Sequence, residues 1–187
     1  MAISPLATAV RELSMLMETP GLGEAQILPR AQKIMQDLVR HDCWLPAAMA
    51  QPHPQNPVQY LLYADPQERY SLVSFVLGPN HATPVHDHTV WGVIGVLRGE
   101  EVEQPYQLAS TGPGLVKAGQ EIQLKPGEVS CVSPTIGDIH QVKNGLDDQV
   151  TISIHLYGGN IGHISRHRYE VNTGTKSPFV SGYANLY

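Results

Sequence analysis

Apolar side chains recur at three- and four-residue spacing near the start of the chain, at Leu6, Val10, Leu13 and Met17. This is the period of one helix face, and Pro5 suits a helix start. Pro20-Gly21 ends that segment. A second helix is predicted over residues 23–40, with Ile27, Ile34, Leu38 and Val39 on or near one face. After Trp44 the pattern changes. Prolines and glycines punctuate short β-type runs at residues 59–64, 70–78, 84–98, 100–108, 115–124, 127–133, 140–143 and 151–157. Short strands with frequent turns predict a mainly β sandwich or barrel, with the two helices covering a sheet. The run Val-Thr-Ile-Ser-Ile-His-Leu-Tyr, residues 150–157, alternates strictly. Val150, Ile152, Ile154 and Leu156 share one face, and Thr151, Ser153, His155 and Tyr157 share the other.

No linker, repeat or low-complexity stretch divides the 187 residues, so one domain is expected. Its parts are a helical region at about 1–45, a β-barrel at 46–170 and a C-terminal wrap at 171–187. That last stretch is polar, but Phe179 and Tyr183 argue for an ordered, irregular course. Apolar residues make up 42% and charged residues 16%, which places the chain among globular proteins. A net charge of −5 without a basic run argues against nucleic acid and anionic membranes as partners. No stretch reaches the ~20 apolar residues of a membrane span. Met1-Ala-Ile-Ser-Pro5 shows no signal pattern. Cys43 and Cys131 have neither metal nor redox spacing, so two reduced thiols in a cytoplasmic protein are expected. Nothing calls for an obligatory protein partner.

The candidate chemistry lies in a divided set of histidines. His86-Asp87-His88 is followed some fifty residues on by His140. In a strand, residues i and i+2 share a face roughly 6.5–7 Å apart. Two such imidazoles and a third from a neighbouring strand would hold one metal ion and leave open coordination positions, as a catalytic metal requires. On the polar face of 150–157, Ser153 can hold His155, and His155 can hold the Tyr157 hydroxyl. Such pairing offsets the cost of polar groups inside a barrel. Three imidazoles suit iron and zinc alike, so the ligands alone do not name the metal. His41 and His53 read as helix-end and loop residues. His81 lies near the metal segment, and His163 and His167 flank Arg166.

The two histidine segments resemble the two motifs of the cupin superfamily. Gly78, His86, His88 and Gly99 match the first, and Gly127, Pro134, Gly137, His140 and Asn144 match the second. The glutamate of the first motif is missing, with Trp91 and Gly92 in its place. Together with Ser153-x-His155-x-Tyr157, these segments resemble the cysteine dioxygenase family of thiol dioxygenases. The resemblance implies a cupin fold, a small β-barrel or jelly-roll sandwich with two N-terminal helices. It also implies one Fe²⁺ per chain on His86, His88 and His140, with O₂ as co-substrate and both its atoms added to a thiol. Ser153, His155 and Tyr157 would stand beside the metal.

Two positions depart from the mammalian-type enzyme of that family. Val93 stands where a cysteine cross-linked to the tyrosine is expected, and Gln59 stands in place of an early-strand arginine. The pattern looks like the bacterial subgroup with glutamine at that position, which acts on 3-mercaptopropionate. A small thiol carboxylate is therefore the implied partner, bound by Arg166, with Arg168 in reserve, and by Gln59. Cysteine and mercaptosuccinate remain alternative substrates. A metal cupin of another kind, an isomerase or a ligand-binding protein, remains an alternative class.

Overall fold

A computed structural model describes residues 4–186; residues 1–3 and 187, and the reading of the N-terminal tip with them, lie outside the described part. Two helices open the chain, α1 (Pro5–Glu18) and α2 (Glu24–Val39). Ser4 caps α1 by accepting from the Ala7 amide, and Pro5 takes the first helical position. Twelve strands follow. They are β1 (Val58–Ala64), β2 (Ser71–Leu77), β3 (Val85–His86), β4 (Gly92–Arg98), β5 (Glu101–Leu108) and β6 (Leu115–Lys117). The remaining six are β7 (Ile122–Leu124), β8 (Val129–Val132), β9 (His140–Asn144), β10 (Thr151–Tyr157), β11 (Arg166–Tyr169) and β12 (Lys176–Phe179).

The strands form two antiparallel sheets of a β-barrel. One runs β1-β2-β10-β4-β8; the other runs β12-β11-β3-β9-β5-β6, with β7 also paired to β5. The helices cover the outer face of the first sheet. Ile152, Ile154 and Leu156 of β10 join Val93 and Leu97 of β4 in a core with Leu13, Met35 and Val39 of the helices. Burying each such side chain is worth about 1.5–3 kcal/mol. That term fixes which face of β10 meets the helices, and so turns Ser153, His155 and Tyr157 into the barrel. Gly95 lets α2 approach closely, since a Cβ there would lie 3.0 Å from Val39.

The structure corrects three readings of the pattern. Residues 84–98 are not one strand: β3 ends at His86, and β4 begins at Gly92. The Asp138 carboxylate accepts from the backbone amides of His88 and Thr89, and Thr89 adopts φ +61°, which breaks the strand between them. His88 therefore lies in a loop and not on a shared strand face with His86. The run 115–124 divides into β6 and β7. The C-terminal stretch is less irregular than expected, because β12 pairs with β11 from Arg166↔Phe179 to Tyr169↔Lys176.

Candidate metal centre

His86 and His140 face each other directly across the β3–β9 pair, and the loop after β3 swings His88 in beside them. One ligand atom from each of the three lies within 4.8 Å of the others, and all three residues are buried. Their rings stand edgewise or tilted, with centroids 4.8–4.9 Å apart. Burial, followed by the neighbouring histidines, holds His86 and His88 well below the ordinary imidazole range. Both are thus neutral near pH 7, as a metal ligand must be.

The other ring nitrogens orient the set. His86 Nδ1 lies 3.0 Å from the Pro84 carbonyl, and His88 Nδ1 lies 2.9 Å from Asp138 Oδ1. Each contact places the proton on Nδ1 and turns Nε2 toward the centre. His140 Nδ1 faces Glu103 Oε2 at 3.9 Å and has no hydrogen-bond partner among the described residues. Glu103 in turn accepts from Ser130 Oγ at 2.6 Å. Three clustered imidazoles, two of them with Nδ1 held outward, fit a divalent transition metal at an open three-ligand face.

Tyr157 stacks on His88 with ring centroids 5.4 Å apart. Its hydroxyl lies 2.8 Å from His155 Nδ1, and His155 Nε2 lies 2.7 Å from Ser153 Oγ. Burial pushes the Tyr157 phenol far above its ordinary range, with Arg166 opposing, so the hydroxyl keeps its proton.

A cavity of about 710 Å³ opens onto His86, His140, His155 and Tyr157, and Gln59, Arg166 and Arg168 also line it. Arg166 is only 4% exposed. Its guanidinium lies 4.7 Å over the Phe179 ring and donates to Ser181 Oγ at 2.9 Å, while its buried Nε has no partner among the described residues. A buried donor left unpaired costs about 1–3 kcal/mol. An anion that accepted from this Nε would remove that cost. Arg168, exposed at the same wall, lies 4.6 Å over the other arginine's ring partner, Phe179. Gln59 also lines the cavity, but its amide nitrogen donates to Ser181 Oγ at 2.8 Å and to the Gly182 carbonyl at 2.5 Å. It is held by the C-terminal segment.

One sequence position needs correction. Val93 does not face the tyrosine; it packs into the helix-side core and pairs in register with Cys131. The residue facing the phenol is Gly92, where a Cβ would lie 3.0 Å from Tyr157 Cδ1. Alternation on β4 and β8 puts Val93 and Cys131 on the opposite side of the sheet from Tyr157. Burial also pushes the Cys131 thiol up to about 12, which leaves it inert. No thioether can form. The purified protein should therefore run as one band on a denaturing gel with an unmodified intact mass. A deficit of two hydrogens mapped to Tyr157 and a cysteine would contradict this geometry.

Four carboxylates that pattern reading missed shape the site. Asp138 and Glu103 back the ligands. Glu101 accepts from Ser153 Oγ at 2.6 Å. Asp87 accepts from the His167 amide and ring and from the Tyr169 hydroxyl, at 2.7–2.9 Å, and so ties the metal segment to the strand that carries Arg166. Asp87 and Asp138 stand next to and two before a ligand histidine, which is the one signal that could have marked them. His81 serves a turn with Gly78, and His163 contacts Asn160 and Glu68; neither joins the site.

No protein-family model matches the chain. Among solved structures, a conserved double-stranded β-helix protein of Klebsiella pneumoniae is 17% identical over 64% of this chain and 93% of its own, with a TM-score of 0.48. A cupin superfamily protein of Desulfitobacterium hafniense is 15% identical over 64% and 94%, at 0.46. An oxalate oxidase in complex with glycolate is 16% identical over 59% and 55%, also at 0.46. Likenesses of this size carry nothing about chemistry. No helix among the described residues is long and apolar enough to cross a membrane.

Proposed function

We propose that this protein is a cytoplasmic, non-haem Fe²⁺-dependent thiol dioxygenase that converts a small thiol carboxylate, 3-mercaptopropionate in the first instance, to its sulfinate. The observation that carries the reading is the union of two features in one cavity. A buried three-histidine cluster with no carboxylate ligand meets the cavity through His86 and His140, and a buried arginine with an unpaired Nε lines the same cavity. Fe²⁺ bound by His86, His88 and His140 would keep its full charge, bring thiol and O₂ together and lower the thiol's pKa. The chain's own residues do the rest. Arg166 pairs with the substrate carboxylate and so fixes the direction in which the sulfur points. Tyr157, held by His155, presents its hydroxyl beside the reacting sulfur. The two free cysteines fit a reducing compartment.

The test is anaerobic reconstitution with Fe²⁺, Zn²⁺ or Mn²⁺, followed by oxygen uptake across a panel of thiols. Uptake should require both Fe²⁺ and a thiol carboxylate. Turnover of a non-thiol substrate by the zinc or manganese form, without oxygen uptake, would replace this reading with that of an isomerase or hydrolase. Ser153→Ala, His155→Ala and Tyr157→Phe should retain most iron but lose activity by roughly 10–100-fold, the usual effect of changing groups that support a metal site. Unchanged kinetics for Tyr157→Phe would remove the phenol from the reaction.

A second substrate has a specific observation in its favour. The cavity is larger than a three-carbon acid fills, and Arg168 places a second cation at its wall. Mercaptosuccinate, with two carboxylates, would use both. A higher kcat/KM for it than for 3-mercaptopropionate, lost selectively in Arg168→Ala, would favour that reading.

A further inference from the structure

Glu101 has no place in the chemistry so far, although it is fully buried and crosses the barrel from β5 to reach β10 in the opposite sheet. Its Oε2 lies 2.6 Å from Ser153 Oγ and 3.8 Å from His155 Nε2, and its Oε1 has no partner among the described residues. The chain of contacts is thus four residues long. It runs from the Tyr157 hydroxyl at the cavity through His155 and Ser153 and ends on a carboxylate.

Proton counting fixes its direction. Ser153 has one hydroxyl hydrogen, and a carboxylate can only accept. If Ser153 donates to Glu101, it must accept from His155, which then carries its proton on Nε2. His155 Nδ1 is left as an acceptor, so the Tyr157 hydrogen points back toward His155. Tyr157 then meets the cavity with lone pairs alone. We propose that Glu101 terminates this relay as its proton acceptor and thereby makes Tyr157 an acceptor toward an incoming substrate. Glu101 is a positioning residue, because it acts on the cavity only through three other side chains.

Resting on the thiol reading above, this arrangement gives the substrate proton a destination. The S–H bond breaks and its proton goes to Tyr157 Oη. The Tyr157 proton passes to His155 Nδ1, the His155 Nε2 proton to Ser153 Oγ, and the Ser153 proton to Glu101 Oε2. Each group regains one hydrogen, no electrons change hands, and the net result is a thiolate and a neutral Glu101. Every hydrogen bond has reversed, so Tyr157 now donates into the cavity. The same phenol accepts before the thiol ionises and donates afterwards.

The first test needs no activity. In ¹⁵N-histidine protein freed of paramagnetic metal, the long-range proton–nitrogen spectrum shows which His155 nitrogen carries hydrogen. Wild type should show the Nε2–H tautomer. Glu101→Leu, which leaves Ser153 free to donate to His155, should show Nδ1–H. An Nδ1–H wild type, or no change in Glu101→Leu, would overturn the proposal. The second test uses Glu101→Gln, which keeps the side-chain shape but cannot take the proton. Iron-loaded protein is mixed anaerobically with 3-mercaptopropionate in weak buffer containing a pH-indicator dye. Since binding a thiol at a metal displaces its proton, Glu101→Gln should release about one proton more per bound thiol than wild type. Equal release would overturn the proton-acceptor role. Failure of the thiol to bind at all would sink the substrate reading, while the tautomer result would still decide the direction of the relay.

Discussion

Replacing any one of His86, His88 or His140 by Ala is expected to abolish metal retention and oxygen uptake while leaving the barrel folded. Three ligands on an open face have no redundancy, and the two that remain cannot define it. The loss of affinity should exceed the roughly 10–100-fold that follows loss of an outer hydrogen-bond partner. The fold should survive because the helix-side core around Ile152, Ile154 and Leu156 lies on the opposite face of the first sheet from the site. Metal content after desalting, read with circular dichroism, checks this. A variant that keeps wild-type metal and turnover would remove its histidine from the centre.

Arg166→Ala is expected to reduce kcat/KM for 3-mercaptopropionate by roughly 30- to 900-fold. The figure follows from the loss of a charge-assisted, largely desolvated arginine–carboxylate pair, worth on the order of 2–4 kcal/mol. Cysteamine, which has the thiol but no carboxylate, should be affected far less. Arg166→Lys should restore activity only in part, since an ammonium keeps the charge and loses the fork. Wild type should also favour 3-mercaptopropionate over cysteine, because no acidic side chain among the described residues lines the cavity to receive an ammonium group. Steady-state oxygen uptake on all three thiols distinguishes the cases. Equal losses on cysteamine and on the acids would mean that Arg166 supports the wall and does not recognise substrate. A preference for cysteine would move the substrate assignment to the amino acid.

The features most legible in the sequence were those with a local period. Both helices and the two faces of β10 follow from spacing alone, because apolar burial against α1 and α2 enforces it. The histidines could be picked out by residue type. The buried carboxylates could not. Residues 101–104 read Glu-Val-Glu-Gln, which on the usual rule turns Val102 inward and the glutamates to water. The barrel interior is polar here, however, with Ser130 and Ser153 waiting as donors, so Glu101 and Glu103 point in. The break between β3 and β4 was hidden for a similar reason. Asp138, some fifty residues away, takes the amides of His88 and Thr89, and no local pattern records such a partner. Gly92 and Val93 show how a one-residue slip along an alternating strand exchanges the two faces of a sheet. Only the register with β10 decides which of them meets Tyr157.

The central claim is tested most directly by following both oxygen atoms. The Fe²⁺-reconstituted protein is given 3-mercaptopropionate under ¹⁸O₂, and the product is identified by mass. The account predicts a sulfinate carrying both labelled atoms, with one O₂ consumed per thiol. Disulfide as the only sulfur product, or a sulfinate carrying one labelled atom or none, would contradict it.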